Sequence, residues 1–317
     1  MKEVIIAGAG LSGLSAAYSL ARGGYDVTIF EEDDVPGHDN NPYTCVLKNV
    51  NGRNTLDELK EFGIRIKAYE INPRVIKISP NTKKNIGFRY YHLLELGQSD
   101  ESLENQMYLQ CLAEGVNFKF NTKIHSADIV ATGKNKKRFN IHGVGNVYRD
   151  MNLDPEATYL VYNNEIAPKG YVYISTRNGL STVMAISFDS SLFSGMKERF
   201  KRGLEIFEPM RDMVKDATLV SEINGTAFYH ENPYQNLQKG KTLYIGEAAG
   251  LQDAARGFGI RYAIISGALA AQSIIKKQDY TQLIKNYFKD EFQKNIERRR
   301  IHNKMTNKDY DKAISLG

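Results

Sequence analysis

Three glycines and one glutamate pose the first chemical question. Gly8, Gly10 and Gly13 stand in G-x-G-x-x-G spacing within "VIIAGAGLSGLSAAYSLARGGYDVTIFEE", residues 4–32, and Glu31 lies eighteen residues after Gly13. Glycines at these offsets can hold a pyrophosphate: Gly8 makes the tight turn, Gly10 lets backbone approach the anion, and Gly13 lets a helix pack closely on a strand. Ala9, Leu11 and Ser12 complete the loop, whose N–H groups and helix dipole favour negative charge. A carboxylate at Glu31, with Glu32 beside it, accepts hydrogen bonds from ribose hydroxyls and repels a 2′-phosphate. No Arg follows at once, which argues against NADP. The pattern calls for an adenosine dinucleotide and by itself does not separate FAD from NAD.

A second segment of this kind lies late in the chain: "KTLYIGEAAGLQDAARGFGIRYAIISGALAAQ", residues 241–272. Here Gly246, Glu247, Ala248 and Gly250 make an acidic turn, and Gly257, Phe258, Gly259 and Ile260 open a helix. Ala263, Gly267, Ala268, Ala270 and Ala271 permit that helix to pack closely. Such a pair of units suits a ligand with two ends. Glu247 can accept from a ribityl hydroxyl, and the positive end of the 260–272 helix can face a flavin pyrimidine ring and stabilise the anionic reduced form. The combination favours FAD over NAD. No metal ligand set is assigned.

These residues need a scaffold. Val4–Ala7 reads as a strand buried on both faces, Leu14, Tyr18 and Ala21 recur at helical intervals up to Gly23-Gly24, and Val27–Phe30 is the next strand. Thr242–Ile245 is the strand before the second motif. Between them, Asp57–Phe62 and Ser99–Glu114 pattern as helices, and Gly63–Tyr69, Val75–Ser79, Val116–Phe120 and Ile124–Gly133 as strands. The last of these ends in Ala131, Thr132 and Gly133, either small enough for backbone to pass close to a cofactor or simply a plain loop. Residues 158–188 alternate like antiparallel strands, with "APKG" and "RNG" as turns. Ser191–Val214 is helical with a break at Pro209, and Thr218–Tyr229 returns to strand. Neither a repeat nor a low-complexity linker is present, so the β-rich middle is expected to be inserted into the nucleotide domain.

The chain has 317 residues, 42% apolar and 25% charged, an ordinary globular composition long enough for two interleaved domains. A net charge of +5 falls short of a nucleic-acid-binding stripe, and much of it sits in Lys134–Arg138 and Arg298–Arg300. Two cysteines, Cys45 and Cys111, make no disulfide framework. No apolar run has the length of a membrane span. A cytoplasmic protein with an intact N-terminus is expected. Residues 279–304 place Tyr280, Leu283, Ile284, Tyr287, Phe288, Phe292 and Ile296 on one helical face, with basic residues elsewhere. Such a face either packs on its own domain or rests peripherally on an anionic membrane.

Together these segments resemble the geranylgeranyl reductase family, among flavoproteins similar to p-hydroxybenzoate hydroxylase. The matching residues are Gly8, Gly10, Gly13 and Glu31; "PYTC" at 42–45, like a Pro-x-x-Cys motif; "APKGYVYIS" at 167–175; and "GEAAG…RGFGIRYAIISGALAA" at 246–271. Departures are Glu247 for the usual Asp, Tyr173 where Trp is typical, no Asp-Arg pair before the 99–114 helix, a shortened 120–129 stretch and a short C-terminal region. The resemblance implies an α/β fold with a Rossmann-like FAD-binding domain of the glutathione-reductase type. That domain takes in 1–60, 99–145 and 240–276; an interleaved antiparallel-β substrate domain takes in 61–98 and 146–239, and a helical segment follows at 277–317.

The resemblance also implies hydride transfer from reduced FAD to a carbon–carbon double bond of a prenyl lipid or other apolar small molecule. Cys45 falls nearest the flavin by motif position, as proton donor or as a small buried hydrophobe. Tyr43 lines the substrate face, and Tyr171 and Tyr173 either line it or simply pack within their sheet. With no Arg-rich NADPH motif, the electron donor is a protein or another reduced cofactor. Two further readings stay open: a FAD oxidase, dehydrogenase or monooxygenase of a small molecule, and a flavin-binding protein without catalysis.

Overall fold

The computed structural model describes residues 2–37, 41–71, 74–88, 91–133 and 138–316, so residues 134–137 of the first basic patch lie outside it. Strand Glu3–Ala7 pairs in parallel with Asp26–Phe30 on one side and Ile129–Val130 on the other. Thr242–Tyr244 extends the sheet beside Ile129–Val130, and Asn117–Lys119 extends it beside Asp26–Phe30, both in parallel. Only the Gln238–Lys239 edge runs antiparallel among the described strands of this six-stranded sheet. Ile6, Ile29 and Ile129 are fully buried, as strands covered on both faces require. The order has a consequence for function. The loops after Ala7, Val130 and Tyr244 all leave the carboxyl edge side by side, where open α/β sheets bind ligands.

Helix Leu11–Arg22 packs against both Ile260–Lys276 and Leu103–Ala113. Ser15 Oγ donates to the Ile264 carbonyl at 2.6 Å, tying the two motif helices together. The second layer is a seven-stranded sheet in the order Thr218–Ala227, Ile141–Arg149, Leu180–Ser187, Tyr171–Arg177, Ala157–Val161, Arg74–Ser79, Thr82–Phe88. It is antiparallel except where Ala157–Val161 meets Arg74–Ser79. A small sheet of Tyr43–Lys48, Tyr91–Leu96 and Tyr69–Ile71 lies between the layers: Thr44 is bonded to Ser175 and Thr182 of the large sheet.

The structure changes four expectations. Residues 64–68 join no sheet; Gln106 and Gln110 of helix Leu103–Ala113 bond the backbone of Lys67 and Arg65 in place of a neighbouring strand. The Ile124–Gly133 strand shrinks to Ile129–Val130, preceded by Asp128, whose carboxylate accepts the Ile5 N–H at 2.9 Å. The boundary at 145 falls inside Ile141–Arg149, which belongs entirely to the large sheet. The 279–304 face is split into Tyr280–Phe288 and Glu291–His302 at Lys289, which has φ 48°. Tyr280, Ile284, Phe288, Phe292 and Ile296 are buried, so this face is covered by the protein itself. Among the described residues no helix is long and apolar enough to cross a membrane.

Candidate functional site

The glycine loop is built by close backbone approach. Gly8 has φ +103°, and a Cβ there would stand 2.5 Å from the Ala131 carbonyl oxygen. A Cβ on Gly13 would overlap the Gly8 carbonyl oxygen, and one on Gly267 the Ser12 carbonyl oxygen. Gly246 has φ +55° and a Cβ there would meet Ser12 Oγ at 2.7 Å. The segments 8–13, 131–133 and 246–250 are thus one constellation, as the two-ended ligand requires. Gly10 differs: among the described residues nothing lies within 4 Å of its Cβ position. That open space stands at the start of a helix with no side-chain cap and no acid in its first turn. The Ile260–Lys276 helix begins in the same uncapped way after Gly259. Two helix ends with unpaired N–H groups fit a pyrophosphate at one end and a charge-accepting ring at the other.

The acids behave differently from one another. Glu31 is buried; its Oε2 accepts the Ala9 N–H at 2.6 Å and Oε1 the Asp33 N–H at 3.1 Å. It shapes the loop, and each oxygen keeps a lone pair for a ribose hydroxyl. Glu32 instead faces the surface and pairs with Lys123 at 3.0 Å. Glu247 Oε1 accepts the Phe228 N–H at 2.5 Å, while its Oε2 lies 4.0 Å from the Cβ position of Gly133. Glu247 therefore sits beside Gly133 and also anchors the end of strand Thr218–Ala227.

From the second motif a cavity of about 300 Å³ opens, at the lower end of the range for ligand pockets. Its wall takes Gly257–Ile260 from the motif, Tyr43 and Cys45 from the small sheet, and Tyr171 and Tyr173 from the large one. The Tyr171 hydroxyl donates to the Arg256 carbonyl at 2.7 Å, and the Tyr173 hydroxyl to the Thr44 carbonyl at 3.3 Å. Burial pushes the Cys45 thiol well above its ordinary range, and the nearby Glu104 charge adds to the effect. A thiol in that setting stays protonated.

Several residues that shape the site carried no motif of their own. Glu104, in the first turn of helix Leu103–Ala113, is 7% exposed, and its Oε2 has no hydrogen-bond partner among the described residues. Its side chain fills the space beside Gly37, whose N–H bonds the Ala9 carbonyl. Burial pushes its carboxyl up to about 7. Arg299, the middle of the "RRR" patch, is buried, not solvated; it donates to the carbonyls of Ala255 and Lys169 at 3.1 and 2.6 Å and lies over the Phe188 ring. Arg261 holds Glu58 at 2.6 Å and Glu291 at 2.8 Å, clamping three helices at the mouth of the cavity. The signal for Glu104 and Arg261 was a charge at an otherwise apolar helical position; periodicity alone gave it no partner.

Residues 3–41 match the sequence profile of a family described as FAD dependent oxidoreductase. No curated protein sequence matches the chain. Among solved structures, a geranylgeranyl bacteriochlorophyll reductase-like protein from Thermoplasma acidophilum superposes with a TM-score of 0.74 at 17% identity, over 100% of this chain and 91% of that one. The flavin-dependent brominase Bmp2 gives 0.65 at 13% identity, over 90% and 83%. The oxygenase of 2-methyl-3-hydroxypyridine-5-carboxylic acid gives 0.57 at 15%, over 100% and 92%. The fold is that of flavoprotein oxidoreductases with a Rossmann-like nucleotide domain, in line with the sequence resemblance. The matched profile and the paired glycine segments both support FAD as the cofactor.

Proposed function

We propose that the protein is a FAD-dependent oxidoreductase that reduces carbon–carbon double bonds of an apolar substrate of geranylgeranyl type. The observation that carries this reading is the cavity itself: an apolar pocket with Cys45 in its wall, continuous with the Gly257–Ile260 turn. When bound, reduced FAD supplies hydride to one alkene carbon. The chain supplies the rest. Gly8–Gly13 would seat the pyrophosphate, Glu31 the ribose, and Glu247 with Gly133 the ribityl side. The uncapped N-terminus of Ile260–Lys276 favours negative charge on the pyrimidine end. Cys45, held protonated by burial, offers its S–H proton to the second carbon, and the buried wall excludes water. Glu104, whose carboxyl burial pushes up to about 7, acts on the Cys45 thiol through its charge. Electrons come from a donor protein or another reduced cofactor.

The test is anaerobic reduction of the bound flavin, followed by mass analysis of a supplied geranylgeranyl lipid for a gain of two hydrogens. Fast oxygen consumption with an oxidised or hydroxylated small molecule as product would replace this reading with that of an oxidase or monooxygenase. The same fold in a brominase and an oxygenase supports that second reading. A purified protein without flavin would sink both.

A further inference from the structure

The large sheet floors the cavity, and one part of that floor has no side chains of its own. Gly143 and Gly225 stand opposite each other on the neighbouring strands Ile141–Arg149 and Thr218–Ala227, and both line the cavity. Glycine inside a strand weakens it and marks a place where something else lies close. Here the close neighbour is Met184, from strand Leu180–Ser187. A Cβ on Gly143 would overlap the Met184 methyl group, and one on Gly225 would touch it at 3.9 Å. Gly145, the cross-strand partner of Met184, lets that side chain start from close in: a Cβ on Gly145 would stand 2.9 Å from Met184 Cα. The Met184 side chain therefore lies flat across two glycines.

What holds it there is weak. Met184 is half-buried and itself lines the cavity. Its partner on the other side is Tyr173, whose hydroxyl lies 3.5 Å from Met184 Sδ and 3.3 Å from the Thr44 carbonyl. A thioether is a weak acceptor, and a methionine side chain is unbranched, flexible and easily rearranged. Tyr173 and Cys45 share the cavity wall, so Met184 stands between the thiol end and the glycine floor. With Met184 down, the cavity measures about 300 Å³, the lower end of the range for ligand pockets. Lifting it opens the floor beneath, which runs on to Ile141 and Ala227 in the same wall.

We propose that Met184 is the length selector of this cavity: it covers Gly143 and Gly225 as long as the bound molecule is short, and a long apolar chain lifts it and runs over the two glycines toward strand Thr218–Ala227. The proposal rests on the reading of this cavity as the substrate site. It makes chain length, and not only apolar character, a property the site reads. A short molecule keeps the thioether in contact with Tyr173. A long one gives up that contact and gains the apolar contacts of the floor. Gly225 matters for the same reason, since any side chain there fills the space the long chain needs.

The experiment titrates the flavin-loaded protein with two pairs of neutral alcohols, geraniol and geranylgeraniol, then decanol and hexadecanol. Flavin absorbance reads affinity. Methyl NMR of protein labelled at its eight methionines reads Met184, whose signal is the one missing from Met184→Ala. The long alcohols are expected to shift that signal and the short ones to leave it in place. The long-to-short affinity ratio is expected to rise about fivefold in Met184→Ala, where no thioether contact with Tyr173 is given up. In Gly225→Val it is expected to fall about fivefold, because the new side chain occupies the floor. A shift with hexadecanol alone, geranylgeraniol failing to bind, upholds the selector and retires the prenyl reading. Geranylgeraniol binding with the Met184 signal unmoved overturns the selector and leaves the prenyl reading standing. So does a ratio unchanged in both variants. If none of the four binds to the parent or to Met184→Ala, the selector and the substrate cavity fall together.

Discussion

The glycine end and the cavity end of this site are held by different physics. At Gly8, Gly13, Gly246 and Gly267, backbone lies against backbone or against Ser12, and any Cβ collides. At the cavity, the wall is assembled from side chains of the small sheet, the large sheet and two helices, and many residues of similar size would close it. The first constraint admits only glycine; the second admits a choice. One fold can therefore keep its cofactor handle while the chemistry at the other end changes, and substrate belongs to the cavity, not to the fold.

Two groups join the ends, and altering them gives the largest effects. Arg261 opens the helix after Gly259 and bridges Glu58 and Glu291 while almost fully buried. Arg261→Met leaves Glu58 buried without its counter-charge and is expected to cost about 3–5 kcal/mol. The denaturant midpoint reads this, and an unchanged midpoint would remove Arg261 as the link. Glu104 is the second group, touching the loop at Gly37 and coupled electrostatically to Cys45. Its carboxyl holds its proton to about 7 in the folded chain, against an ordinary 4.5. The folded state therefore binds the proton more tightly than the unfolded one. The stabilisation is complete below the ordinary value and is lost as pH rises through about 7. Glu104→Gln is expected to raise stability near pH 8 and to flatten its fall between about pH 5 and pH 8, by ~3 kcal/mol at most. Parallel melting profiles for the two proteins would contradict this.

How far the sequence spoke follows the same division. The βαβ unit, the second acidic turn and the convergence of their glycines were legible, because turn geometry and close packing demand particular residues at particular offsets. Ala131–Gly133 lies against Gly8 and Glu247, a closeness that its small residues allow and that a plain loop would equally have shared in the sequence. The Gly63–Tyr69 segment misled, since alternation cannot say whether a neighbouring strand or two glutamine side chains will satisfy the backbone. Glu32 looked like a ribose ligand by adjacency, yet it leans outward to Lys123. Glu58 and Glu104 gave almost no signal. Their meaning comes from neighbours far along the chain or in other elements, which no local pattern carries. The basic tail split for a similar reason: burial of its apolar face against the core needed a break at Lys289 that periodicity does not announce.

Gly13 and Gly10 sharpen the contrast within the handle itself. Gly13→Ala forces a methyl into the Gly8 carbonyl, so helix and strand must separate. A cost of about 1–3 kcal/mol is expected together with loss of bound flavin, because the loop that seats the pyrophosphate moves. Thermal melting and the flavin absorbance of the purified protein check both at once.

Gly10 is the smallest perturbation of the fold and the most selective. Its φ of −75° and ψ of 176° are open to any residue, and its Cβ position meets no atom of the described residues within 4 Å. Gly10→Ala should leave the flavin-free protein within about 0.5 kcal/mol of its parent, as for a substitution without strain or collision. The added methyl points into the space above the uncapped helix N-terminus, where the pyrophosphate must approach backbone most closely. Flavin affinity is therefore expected to drop sharply while the melting temperature of the apoprotein stays put. Equal losses in both would mean that Gly10 serves packing as Gly13 does. Unchanged flavin affinity would mean that the anion sits elsewhere on the loop.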